Sequence, residues 1–216
     1  MGHLLLARPF KLPLLSVLFY LVIPISSLFG AIELSGNFGY NKMLYGTSKQ
    51  NSLTTRSYTS SMAFYFFSNT AFELNYYNST NMRLANERYQ ITGVADYSVI
   101  QSYSEVKYQS YGIGLKHAFA PRGYPVRPLI SLGYAKKFTD SSGNTIFEHD
   151  SNGSQINVAH NSQKSREDSV FGTIQLQLRI TNRLSLTGSV NTVFKAFEWD
   201  EAKNSLKYLA GFSWII

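Results

Sequence analysis

Beyond residue 31 the chain alternates apolar and polar residues with a period of two, and no further apolar run is long enough to cross a bilayer as a helix. Such alternation places successive side chains on opposite faces of a strand. A first strand is predicted near 32–43, with Ile32, Leu34, Phe38 and Tyr40 on one face and Glu33, Ser35, Asn37 and Asn41 on the other. A second, 57–67, groups Tyr58, Met62, Phe64 and Phe66; past Ser68-Asn69-Thr70, Phe72, Leu74 and Tyr76 oppose Glu73 and Asn75. Near 106–119, Tyr111, Ile113 and Leu115 alternate with Gly112, Gly114 and Lys116. Past Pro121-Arg122-Gly123, Ile130, Leu132 and Tyr134 oppose Ser131, Gly133 and Ala135. Over 169–181, Ile174, Leu176, Leu178 and Ile180 face away from Thr173, Gln175, Gln177 and Arg179. Past Thr181-Asn182-Arg183, Leu184, Leu186, Val190 and Phe194 alternate with Ser185, Thr187, Ser189 and Asn191. The chain closes with Tyr208, Ala210, Phe212, Trp214 and Ile216 in step.

Each stretch is about 10 residues, the length with which a tilted strand crosses the hydrocarbon layer. Connections alternate between long and polar (44–56, 78–105, 139–167, 196–203) and short (68–70, 120–126, 181–183). Short turns at one end and long loops at the other mark a membrane barrel. The count is eight, which returns both ends of the domain to one side. The predicted fold is therefore all-β: an eight-stranded antiparallel up-and-down transmembrane barrel. Closure satisfies every backbone group in lipid and permits an apolar outer face. The polar face then points inward, as a plug of Glu33, Glu73, Lys116, Gln175, Gln177, Arg179, Asn191 and Lys207. A soluble lipocalin-like barrel has the same periodicity with the opposite polarity. Aromatic residues near strand ends, among them Tyr40, Tyr58, Phe66, Tyr108, Tyr134, Phe138, Phe194 and Trp214, suit rings at headgroup level.

These features resemble the small outer-membrane β-barrel family, of the OmpA- and OmpX-like kind, over the whole predicted domain. The terminal run Tyr208, Phe212, Trp214 and Ile216 is similar to that family's C-terminal assembly signal, which usually ends in Phe or Trp rather than Ile. The resemblance implies a bacterial outer-membrane location, contact with outer-membrane lipids and lipopolysaccharide, and recognition by the barrel-assembly machinery. It implies a monomer with no enzymatic activity and no cofactor.

Residues 1–31 place Arg8 and Lys11 before the apolar stretch Leu12 to Leu28 and small residues near Gly30 and Ala31. That is the layout of a cleaved secretory signal peptide, leaving 32–216 as one domain. The chain has no Cys, which excludes disulfides, thiolate metal sites and a Cys nucleophile. The net charge of +7 includes the two leader cations, and the remaining basic residues are dispersed rather than gathered on one face. Nucleic-acid binding is not expected. The 15 Tyr and 15 Phe against 2 Trp reinforce the strand assignment.

Candidate chemistry is sparse. His160-Asn161-Ser162 shares the H-x-S spacing of the lipid A deacylase barrels, with Glu167 nearby, but it falls in a predicted polar loop. The four His residues show no ligand spacing. An eight-stranded lumen is just wide enough for side chains to fill, which favours a structural plug over a small or gated pore. The remaining functional segments are 78–105, where Tyr89, Ile91, Val94, Tyr97 and Val99 suggest a hairpin above the membrane, and the Ser/Asn/Gly-rich 139–167, expected to be mobile. Surface adhesion or shielding is the role they suggest.

Overall fold

The computed structural model describes residues 30–90 and 96–216. The leader falls outside the described residues except for Gly30 and Ala31, as do Ile91 and Val94 of the predicted hairpin. The strands are β1 (Ala31–Tyr45), β2 (Asn51–Tyr65), β3 (Thr70–Ala85), β4 (Tyr89–Gln90), β5 (Tyr97–Ala118), β6 (Val126–His149), β7 (Gln155–Arg179), β8 (Leu184–Lys195) and β9 (Lys207–Ile215). All pairings are antiparallel. The last strand returns to the first through Glu33↔Ile215 to Phe38↔Ala210, and β3 pairs with β5. Eight strands thus close a ring, and the two-residue β4 is a side branch on β5.

The faces are sorted as the alternation requires of a membrane barrel. Ile113, Ile174 and Leu132 are 66%, 65% and 55% exposed on the outside, while Glu33 and Lys116 are fully buried within. The lumen is lined by Ser35, Asn37, Thr59, Ser61, Ser131, Thr187 and Ser213, all buried. The lipocalin-like alternative is excluded, because its interior would be apolar. On β6 the outward residues from Val126 to Tyr134 cover about 20 Å along the axis, at ~3.3 Å per residue and a tilt near 40°. This matches the apolar band of roughly 25 Å expected for such barrels.

Rings border that band. Tyr58, Tyr76, Tyr111 and Phe138 form a chain around the wall, with centroid spacings of 5.8, 5.1 and 6.2 Å. Two aromatics that the sequence grouped with the belt lie elsewhere. Tyr108 has the inward parity of its strand and packs against the lumenal cluster Tyr77, Ala135, Phe171 and Val193, and Phe194 is buried. Phe171 fits against a wall without side chains. A Cβ on Gly112 or Gly114 would stand 2.8 Å from its ring, and one on Gly133 closer still. Glycine there lets an aromatic ring lie flat on the neighbouring strands.

The long connections are shorter than predicted, because the strands continue above the band. Segment 139–167 is a paired hairpin rather than a mobile loop: Phe138↔Arg166 through Glu148↔Gln155 run in register, with one irregularity between Ser141 and Gly143. Its alternation vanishes because both faces of β7 from Gln155 to Arg166 are exposed to water, so nothing selects for an apolar side. Segment 78–105 likewise continues β3 and β5, from Asn78↔Gln109 to Ala85↔Ser102.

Truncation of the lumenal ring in Phe171→Ala is expected to cost about 3–5 kcal/mol of unfolding free energy, the range for deleting a buried Phe. A urea titration of the protein folded in detergent, followed by Trp fluorescence, measures the shift.

Candidate functional site

The polar lumen concentrates its charge around one carboxylate. Glu33 on β1 is wholly buried and accepts two donors on each oxygen. Lys116 Nζ and Gln177 Nε2 reach Oε1 at 2.7 and 2.8 Å; the Tyr65 hydroxyl and Arg127 Nη1 reach Oε2 at 2.8 and 3.3 Å. Four strands, β2, β5, β6 and β7, thereby tie to β1 through one side chain. Glu73 stands 4.0 Å from Lys116, so two buried cations face two carboxylates. Arg127 is held further by donating to the Ala120 carbonyl at 3.1 Å and lying over the Tyr65 ring at 5.3 Å. Arg122 covers the same ring at 4.3 Å.

Of the predicted interior residues, Glu33, Glu73, Lys116, Gln175, Gln177 and Asn191 are buried. Glu33, Glu73, Lys116 and Gln177 meet; the other four do not join them. Arg179 is exposed, because it ends β7 at the mouth of the barrel beside the 180–183 turn, where solvent reaches it. Lys207 opens β9 opposite Asn191 at the other end, too far along the axis to reach Glu33. Gln175 Nε2 and Asn191 Oδ1 are buried without a protein partner. Arg127 and Tyr65 were missed. Their parity with Ser131 and with Ser61 places both inward, so the alternation held the signal; for Arg127 the Pro-rich start of β6 obscured it. The terminal residues Tyr208, Phe212, Trp214 and Ile216 are all exposed on the outer wall.

His160 and Ser162 lie on β7 rather than in a loop, and each has its own partner across the hairpin. His160 Nε2 is 2.9 Å from the Thr145 hydroxyl, and the Ser162 hydroxyl donates to Asp140 at 2.6 Å. The serine donates to Asp140 and the histidine is engaged by Thr145, so the two do not form a Ser–His pair. Among the described residues no group of three or more His, Asp or Glu is placed to hold a metal.

The second feature is the sheet above the band. β8 and β9 have 12 and 9 residues, whereas β6 and β7 have 24 and 25. β7 pairs with β8 only from Ser169 onward, so residues 155–167 present a free edge over roughly 40 Å of strand. Ile156 and Val158 are exposed on it. At the hairpin tip, Asp150 accepts from the Ser98 hydroxyl at 2.7 Å and from Arg88 at 2.9 Å, and Arg88 also meets Glu148 at 3.0 Å. The Ser98 hydroxyl and the Arg88 guanidinium hold the Asp150 carboxyl below its usual range. Cations also crown the aromatic belt: Arg56 lies over Tyr40 at 6.0 Å, Arg166 over Phe138 at 5.5 Å, and Lys136 and Tyr134 both engage Asp168.

In architecture the chain is a small eight-stranded membrane β-barrel. No protein-family model and no curated protein sequence matches it. Among solved structures it is similar to the N-terminal β-barrel domain of OprF from Pseudomonas aeruginosa, at 13% identity and a TM-score of 0.47, covering 86% of this chain and 97% of that one. It is similar also to the outer-membrane protein OprG of Pseudomonas aeruginosa, at 10% identity and a TM-score of 0.48, covering 86% and 95%. A third is Ail, the attachment invasion locus protein of Yersinia pestis, at 12% identity and a TM-score of 0.39, covering 86% and 97%. At such identities the likeness is one of fold.

Removing one member of the lumenal cluster should cost more than removing the pair. Lys116→Met leaves Glu33 short of its nearest cation and is expected to lower unfolding free energy by about 3–5 kcal/mol. Glu33→Gln combined with Lys116→Met should recover much of that loss, a coupling read from the four urea midpoints of the cycle. The tip clasp has the opposite sensitivity to acid from a paired histidine. Because the folded-state pKa of Asp150 is depressed, its contribution is present at neutral pH and disappears as pH falls through that lowered value. Amide exchange at Ser98 and Asp150 should therefore accelerate, relative to its intrinsic rate, only below the ordinary carboxylate range, and the Asp150→Asn variant should show no such step.

Proposed function

We propose that the protein is an integral barrel of a bacterial outer membrane, with a sealed polar lumen, whose raised β-sheet acts at the cell surface in attachment or shielding. The observation that carries the membrane assignment is the inverted polarity of the closed ring, with Ile113 and Ile174 outward and Glu33 and Lys116 buried. In water such an outer face would be an aggregation hazard; in hydrocarbon it is the lower-energy arrangement. A leader over 1–31 would direct the chain across the inner membrane and be removed. The terminal strand with Tyr208, Phe212, Trp214 and Ile216 would engage the barrel-assembly machinery before the ring closes. Arg56, Arg166 and Lys136, set just above the aromatic belt, suit contact with the phosphates of lipopolysaccharide.

The sealed lumen is supported by the Glu33 cluster and by the apolar cluster Tyr77, Ala135, Phe171 and Val193, which together occupy space that a pore would need. The surface role is supported by the free edge of β7. An extended segment of a partner protein adds to such an edge through main-chain hydrogen bonds, with Ile156 and Val158 contributing apolar contact. The chain acts in this reading as a surface-interaction protein and performs no catalysis.

Two measurements test the proposal. In planar bilayers the purified barrel should give no stable conductance steps; reproducible single-channel steps would replace the plug with a pore. Cells expressing the barrel without residues 139–167 should keep the heat-modifiable gel mobility of a folded barrel and lose adherence to host-cell surfaces or tolerance of serum. Ala159→Pro, at a residue whose N–H faces the open edge and not β6, should reproduce most of that loss while leaving the hairpin paired. Unchanged adherence and serum tolerance in both variants would overturn the role assigned to the β7 edge.

A further inference from the structure

A cavity of about 130 Å³ lies inside the barrel at the end of the long connections, away from the Glu33 cluster and sharing no lining residue with it. Lys207, Lys137, Asn81 and Asn204 line it, together with the rings of Tyr77 and Tyr108. The two lysines differ in their surroundings. Lys137 is neutralised by Glu167 at 2.6 Å and lies over the Tyr108 ring at 5.1 Å. Lys207 is half-buried at the start of β9, and no carboxylate or hydrogen-bond acceptor among the described residues partners its ammonium. Taking an ammonium partly out of water without an anion is costly, and natural interiors seldom leave one so.

Two amide oxygens nearby are also unpaired, and one of these side chains can present its NH2 group instead. Asn81 Oδ1 is buried with no donor to it, and so is Asn191 Oδ1, directly across the ladder from Lys207. An orphaned amide oxygen costs free energy where it stands. Rotation of the Asn81 side chain by half a turn would bring its NH2 group to the same position at the loss of no existing bond. The lining then offers one unneutralised cation and amide donors and no carboxylate, and Lys137 is already paired with Glu167. The space suits a molecule of five or six heavy atoms, since an apolar cavity near 150 Å³ holds benzene.

We propose that this cavity is a binding site for a small oxyanion from solution, of the size of phosphate or a short carboxylate, held by the Lys207 ammonium and the amides of Asn81 and Asn204. The site faces the outer solution beside the 196–206 connection, and its occupant neutralises the lumenal Lys207, which has no counter-charge among the described residues. It shares no residue with the Glu33 cluster or with the β7 edge, and Tyr77 and Val193 of the apolar cluster form its floor.

The test uses the folded full-length domain in micelles of an uncharged alkyl glucoside, so that no lipid phosphate competes. Inorganic phosphate and, separately, acetate are titrated and followed by calorimetry and by NMR of the Lys207 side chain and the Asn204 amides. Saturable one-to-one binding of at least one of them in the millimolar range is expected. Lys207→Gln should weaken it by about 10-fold or more, the worth of a charged hydrogen bond, while Lys164→Gln on the exposed hairpin leaves it unchanged. Heat-modifiable mobility verifies that each variant is folded; should Lys207→Gln not fold, the resonances of the unsubstituted protein decide the matter. Absence of saturable binding by both ions, equal affinity in Lys207→Gln, or shifts confined to Arg56 and Arg166 on the outer wall would overturn the proposal.

Discussion

The constraint on which the rest of the structure depends is that hydrocarbon offers a backbone no hydrogen-bond partner. An N–H or C=O left open inside the band costs several kcal/mol, so a sheet can lie there only if its last strand meets its first. The pairing of β1 with β9 from Glu33 to Phe38 meets that demand, and the short final strand is sufficient because it needs to cover only the membrane. Above the band water supplies the partners, and there the ring is allowed to open. That difference in solvent explains why β7 can expose a long edge while the same strand, one turn of the barrel lower, exposes none.

Closure forces the polar faces inward, and inward charge must be neutralised where it stands. Glu33 meets this requirement with four donors from four other strands, and Lys116 with two carboxylates. Such a cluster adds little net stability over a well-packed apolar core, but each member becomes costly to remove singly. Its organisation is directional: the hydrogen bonds are satisfied in one register of the strands and in no neighbouring one. A slip of one residue would turn Glu33 or Lys116 toward lipid. The glycine-lined wall under Phe171 acts in the same sense, since the ring fits only where three side chains are missing.

The two ends of the barrel are chemically unlike. The short-turn end is tightened by Arg127, Arg122 and Tyr65 around Glu33, whereas the long-connection end carries the tip clasp of Arg88, Ser98 and Asp150, the open β7 edge and the cavity at Lys207. The buried charge network is concentrated toward the short-turn end and the exposed polar chemistry toward the long-connection end. The scaffold thus holds its exposed polar edge and its lysine-lined cavity in fixed positions at one end.

By itself the sequence determined the strands, their faces and the count of eight. Period-two patterning is strong wherever one face of a strand meets lipid and the other a polar lumen, as along Thr173 to Ile180. It also marked Glu33, Glu73, Lys116 and Gln177 as inward, since facing is a matter of parity. The tertiary structure alone decided which of these meet. Arg179 shares the parity of Gln177, yet it lies at the mouth in solvent, and Lys207 belongs to a different height of the lumen; strand tilt and stagger, which no local pattern records, set those positions. The raised hairpin was equally silent, because with water on both faces of residues 155–166 nothing selects for alternation. Parity is a local property and survives in the chain, whereas depth and contact arise only when the sheet closes.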